Sequence, residues 1–128
     1  MALLQDERTC AVVLVTVPEE LPTTETIELA RALAPMRLKV QRVVVNCVLP
    51  TLFSKEERVA LEALPEFEPA TRGDAAVFAA AARAARERVQ AESIDRLTRD
   101  LRADFLSLPL LTEDAAQPDA IRRLARRL

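Results

Sequence analysis

Cys10-Ala11-Val12-Val13-Leu14-Val15-Thr16-Val17 is an almost unbroken aliphatic, β-branched run, and Pro18 closes it. The run lacks the apolar-polar alternation of a strand with one wet face, so it suits a strand covered on both faces, as in a parallel sheet. A helix is expected next. Pro22-Thr23-Thr24-Glu25 supplies a start signal, with Thr as N-cap and an acid in the first turn, and Ile27, Ala30, Leu33 and Ala34 then recur at helical spacing until Pro35.

Working outward, Val40 to Leu49 (VQRVVVNCVL) is a second such run, closed by Pro50 and interrupted by one neutral polar residue near its end, Asn46. Strand, helix, strand implies a crossover between parallel strands. Ser54-Lys55-Glu56-Glu57 reads as a capping box opening a short helix, with Val59, Ala60, Ala63 and Leu64 on one side and Pro65 at its end. Pro65 to Asp74 is rich in breakers and holds the one glycine, Gly73, so it is read as a connection within the domain. From Asp74, taken as an N-cap, to about Leu101 the pattern is helical, a long helix or a bent pair, with Phe78, Ala81, Ala82, Ala85, Val89, Ile94, Leu97 and Leu101 on the expected buried stripe. Asp104 to Leu111 is a third apolar run. Pro109 lacks the ladder donor, so it belongs at a strand end. Pro118 marks the start of a last helix carrying Ile121, Leu124 and Leu128. The expectation is an α/β fold over residues 1–128 as a single domain: about three parallel strands with flanking helices, a sheet narrow enough to suggest that part of it is supplied elsewhere.

Composition bounds the function. With 128 residues the chain can bury about two-thirds of its unfolded surface, and half of its residues are hydrophobic, which is ordinary for a folded domain. A net charge of −2, four Phe and no Trp or Tyr argue against nucleic acid as a partner, since neither a basic field nor stacking platforms are present. The basic run Arg122 to Arg127 is read as a solvated helix face. No apolar stretch is long enough to insert in a membrane and the N-terminus has no basic leader, so a cytoplasmic protein is expected. Cys10 and Cys47 each sit in an apolar run and are read as small buried hydrophobes. Two Cys without any His make a zinc site improbable, and the lack of His removes Ser-His-Asp and Cys-His catalysis. Carboxylates remain: Glu19, Glu20 and Glu25 follow a strand end where open α/β sheets place ligands, and they equally suit a helix dipole. A phosphate-binding loop needs a glycine-rich turn with Lys and Ser or Thr, and one glycine cannot build it.

Val15-Thr16-Val17-Pro18-Glu19-Glu20-Leu21-Pro22-Thr23-Thr24-Glu25-Thr26, followed by Val43-Val44-Val45-Asn46-Cys47-Val48-Leu49-Pro50 and later by Leu106-Ser107-Leu108-Pro109-Leu110-Leu111, resembles the second half of the arsenite-pump and tail-anchored-protein-targeting (anion-transporting) ATPases. The resemblance implies a partial P-loop-NTPase-like fold. It also implies that Asn46 reads the adenine ring and that Leu108, Pro109 and Leu110 pack against the base. A carboxamide offers donor and acceptor together, matching the N6 and N7 edge of adenine, while an Asn before Pro50 could equally cap a turn. In the family ATP and Mg are held by a phosphate loop, switch residues and a water-activating Asp that precede these motifs. The chain is therefore expected to contribute base-recognition loops without hydrolysing ATP alone or holding a cofactor tightly, with a P-loop portion as its partner. The alternative is a stand-alone, non-enzymatic interaction module that dimerises or binds another protein. The Cys-x-x-Cys of some family dimers is absent, as are a Met-rich client groove and Cys triads for a metalloid.

Overall fold

The computed structural model describes residue 6 and residues 9–65, 68–111 and 117–126. The elements follow the expected order: β1 (Val12–Thr16), α1 (Glu20–Leu33) with a 3-10 turn at Ala34–Met36, β2 (Val40–Val48), α2 (Lys55–Glu62), α3 (Arg72–Asp100), β3 (Asp104–Pro109) and α4 (Pro118–Ala125). The sheet runs β1-β2-β3 with both pairings parallel. The chain is thus α/β, a three-strand parallel sheet flanked by helices.

Register places Leu14, Val43 and Phe105 in one row and Val15, Val44 and Leu106 in the next. Adjacent rows point to opposite faces. Leu14, Val43 and Val45 meet Ile27 of α1 and Leu97 of α3 in the core, with Ala30, Leu33, Ile94 and Phe105 packed around them. Each such aliphatic side chain contributes about 1.5–3 kcal/mol by leaving water. Both helices therefore lie on one face of the sheet. On the opposite face of β1, Val13 is 50% and Val15 68% exposed. The aliphatic run expected to be covered on both sides is thus covered on one among the described residues, and the far edge of β1 has no strand partner there.

Several helix details differ from expectation. α1 starts at Glu20, with Glu19 as an extended N-cap that makes no side-chain cap bond. The first intrahelical bond is Thr23 N–H to Glu19 C=O. Pro22 falls among the first residues, whose N–H groups lack intrahelical partners anyway, so the helix begins ahead of it at no cost. The Ser54–Glu57 capping box forms as expected. At α3 the cap is Thr71, with Asp74 as its capping-box partner at the third helical position. α3 is one continuous helix of 29 residues. Its buried positions are Ala84, Glu87, Gln90, Ser93 and Leu97, while Phe78 is 54% exposed and Val89 also lies outside the core. The apolar stripe read in sequence therefore holds only in the second half. α2 buries none of its residues, and Val59 and Leu64 stand exposed. In α4 the buried residue is Ala120, with Ile121 exposed; Leu128 lies outside the described residues. Cys10 is half-buried and Cys47 exposed, both free. No described helix is long and apolar enough to cross a membrane.

Candidate functional site

The carboxyl end of β2 is irregular. Val45 pairs with Ser107 and Val48 with Pro109, so β2 carries one residue more than β3 across this interval. That is a β-bulge, and it contains Asn46 and Cys47. Cys47 has φ 58°, in the left-handed region. A β-strand does not enter that region unforced, and a non-glycine residue there costs about 1–2 kcal/mol. The Asn46 Oδ1 accepts the Cys47 N–H at 2.9 Å, which ties the side chain to the bulge it stands on. Each carbonyl oxygen has two lone pairs, so Oδ1 keeps one acceptor position and the amide nitrogen keeps both donors. The turn-capping and ligand-reading roles of this Asn are compatible.

Asn46 forms one wall of a crevice of about 390 Å³ at the carboxyl ends of β1 and β2. Val15 and Val17 contribute from β1 and the residue after it, and Pro22, Glu25 and Leu29 from α1. This is where open parallel sheets receive ligands. Of the three candidate carboxylates only Glu25 reaches the crevice. Glu20 sits in the first turn of α1 and Glu19 at its N-cap, positions that complement the helix dipole.

Leu108, Pro109 and Leu110 close β3 beside the bulge. Pro109 is the last strand residue, the strand-end position expected of it, and the Leu110 N–H donates to the Val48 carbonyl at 2.7 Å. The two predicted segments are therefore neighbours across one backbone bond, although Leu108–Leu110 do not line the Asn46 crevice itself.

Sequence reasoning overlooked a polar group beneath the bulge. Glu87 is 5% and Gln90 8% exposed, both on α3. Gln90 Oε1 accepts the Leu49 N–H at 2.9 Å, and Glu87 Oε1 accepts the Leu52 N–H at 3.0 Å and the Arg83 Nε–H at 3.1 Å. Burial pushes the Glu87 carboxyl up, but the Leu52 N–H, the Arg83 guanidinium and the Phe53 N–H outweigh it and hold the group below its ordinary value of 4.5. The available signal was spacing: polar residues at 87, 90 and 93 continue a buried row that begins at Ala84 and ends at Leu97.

Gly73 lies in the first turn of α3, and the turn joining β1 to α1 is Val17-Pro18-Glu19, without glycine or Lys. The β1–α1 turn is therefore not a glycine-rich phosphate loop, and no cluster of metal-binding residues occurs among the described residues. A profile of the anion-transporting ATPases matches residues 1–65, which span β1, α1, β2 and α2 and slightly more than half of the chain. The chain belongs to the anion-transporting ATPase family. A comparison with curated proteins gives no match. Within this family ATP and Mg are the general cofactors, and the matched region holds the crevice, the bulge and Asn46.

Proposed function

We propose that this member of the anion-transporting ATPase family supplies the base-side wall of an ATP site, and that phosphate, Mg and the attacking water are handled by a P-loop-bearing portion seated against its open sheet edge. The observation that carries this reading is Asn46. It is a carboxamide set on a β-bulge at the carboxyl end of a parallel strand, half-buried, with donors and one acceptor position free beside a crevice large enough to admit a nucleobase. Leu108–Leu110 offer an apolar surface one strand away, suited to the face of a base. Without a glycine-rich turn the chain alone does not turn over ATP.

The test is base selectivity. Asn46→Ala, placed in an assembly with a family P-loop portion, raises the nucleotide KM and relaxes the preference for ATP over GTP, with little loss of kcat. Unchanged selectivity removes Asn46 from the site.

The exposed Val13 and Val15 also support a second reading, a non-enzymatic module that pairs with a copy of itself or with another protein through the same edge. Sedimentation tests the self-pairing form of this reading, which requires a dimer that survives dilution to micromolar concentration; a clean monomer removes that form.

A further inference from the structure

The loop leaving the Asn46 bulge is held by side chains rather than by secondary structure. Over Leu49–Phe53 the backbone bonds run to three residues of α3 spaced about a helical turn apart. Gln90 takes the Leu49 N–H, Arg83 donates to the Pro50 carbonyl, and Glu87 takes the Leu52 N–H and faces the Phe53 N–H. Arg83 braces the same carboxylate, and Arg58 of α2 stands 3.8 Å from its second oxygen, which has no hydrogen-bond partner among the described residues.

This arrangement is costly for a purely structural purpose. A buried carboxylate and a buried carboxamide are each less favourable than an aliphatic side chain of similar size unless their bonds are fully made, and one Glu87 oxygen is left over. What the group achieves is position. Three residues upstream of Leu49 stands Asn46, and between them Cys47 is held in the left-handed region, a conformation that persists only when its surroundings over-determine it. Val48 is fixed on the other side by its bond to Leu110.

We infer that Glu87 and Gln90, with Arg83, are positioning residues for base recognition: by clamping Leu49–Phe53 to α3 they hold the bulge that aims the Asn46 carboxamide and keep it beside the Leu108–Leu110 segment. The inference rests on the reading of Asn46 as the base-contacting group. None of the three touches the base. They act through the backbone, so their loss affects discrimination between bases before it affects the core.

The experiment is an NMR titration of the 128-residue chain with adenosine and with guanosine, read at the Asn46 side-chain amide and the Cys47 and Leu110 backbone amides, together with hydrogen exchange at Leu49, Leu52, Val43 and Leu97. In the unaltered chain adenosine is preferred. Glu87→Ala and Gln90→Leu each lower that preference by about tenfold, the order by which removing an orienting partner weakens a site. They also speed exchange at Leu49 and Leu52, with Val43 and Leu97 still protected. Glu87→Gln, which keeps an acceptor for the Leu52 N–H, restores most of the preference. Should Glu87→Ala fail to fold, Arg83→Gln carries the test, since it frees the Pro50 carbonyl and leaves both buried acceptors in place. A retained adenosine preference in these variants overturns the inference and leaves the Asn46 reading standing. Absence of any base preference in the unaltered chain overturns both.

Discussion

Asn46 is the polar residue that follows the Val43–Val45 run of β2, and its chemistry follows from the amide it carries. Replacing it by Asp keeps an acceptor but removes the donors, so Asn46→Asp is expected to lower adenosine affinity nearly as far as Asn46→Ala, measured by the same titration. Another residue tests the energetics of the core. Thr23 of α1 is fully buried and its hydroxyl has no hydrogen-bond partner among the described residues. Thr23→Val removes an unsatisfied oxygen while nearly keeping shape, and should stabilise the chain by about 1 kcal/mol in chemical denaturation. Asn46 stood out in the sequence because a carboxamide follows three consecutive valines at the end of a β-type run. Cys47 was misread as a buried thiol, since strand alternation assigns faces only while the ladder is regular and the bulge breaks it at that residue.

At the scale of elements, α3 divides into two halves with different work. Its second half anchors the core through Ile94 and Leu97, so Leu97→Ala is expected to cost about 2–5 kcal/mol, whereas Phe78→Ala, at an exposed position, stays within about 0.5 kcal/mol. Between them the Glu87 clamp makes stability depend on pH. The folded-state carboxyl lies below its ordinary value, so its contribution is present above about pH 4.5 and is lost as pH falls through the folded value. Glu87→Gln should therefore flatten the acid limb of the unfolding midpoint against pH. An acid limb identical in the two proteins would assign acid sensitivity to other groups. Order and type of the elements were readable from period and punctuation: β-branched runs closed by proline, and the Ser54–Glu57 capping box. The burial faces of α2 and α3 were not. Helical periodicity assumes that the inward stripe is apolar, and here loop backbone is the neighbour, which demands acceptors at Glu87 and Gln90.

For the whole molecule, the governing feature is a sheet with a finished side and an unfinished one. Ile27 and Leu97 close one face, while Val13 and Val15 are exposed on β1, an edge strand among the described residues. Val15→Lys should leave the stability of the isolated chain within about 0.5 kcal/mol, because the site is already exposed, yet prevent association with a P-loop portion in a sedimentation or pull-down experiment. Narrowness of the sheet was visible from three β-type runs alone. Which face stands open was not, since the relation of α1 and α3 to the strands is set by tertiary packing that local pattern does not encode.

The most direct test of the base-side account compares ATP with adenosine on the purified chain, by calorimetry with and without Mg and with a parallel assay for released phosphate. The account predicts weak binding of both, on the order of millimolar as expected for a half-site with few contacts. Their affinities should agree within a few-fold, Mg should have no effect, and no phosphate should be released, because the proposal assigns base contacts to this chain and phosphate contacts to the P-loop portion. Mg-dependent binding of ATP far tighter than adenosine, or any turnover, would contradict it and would require a phosphate site built without a glycine-rich loop.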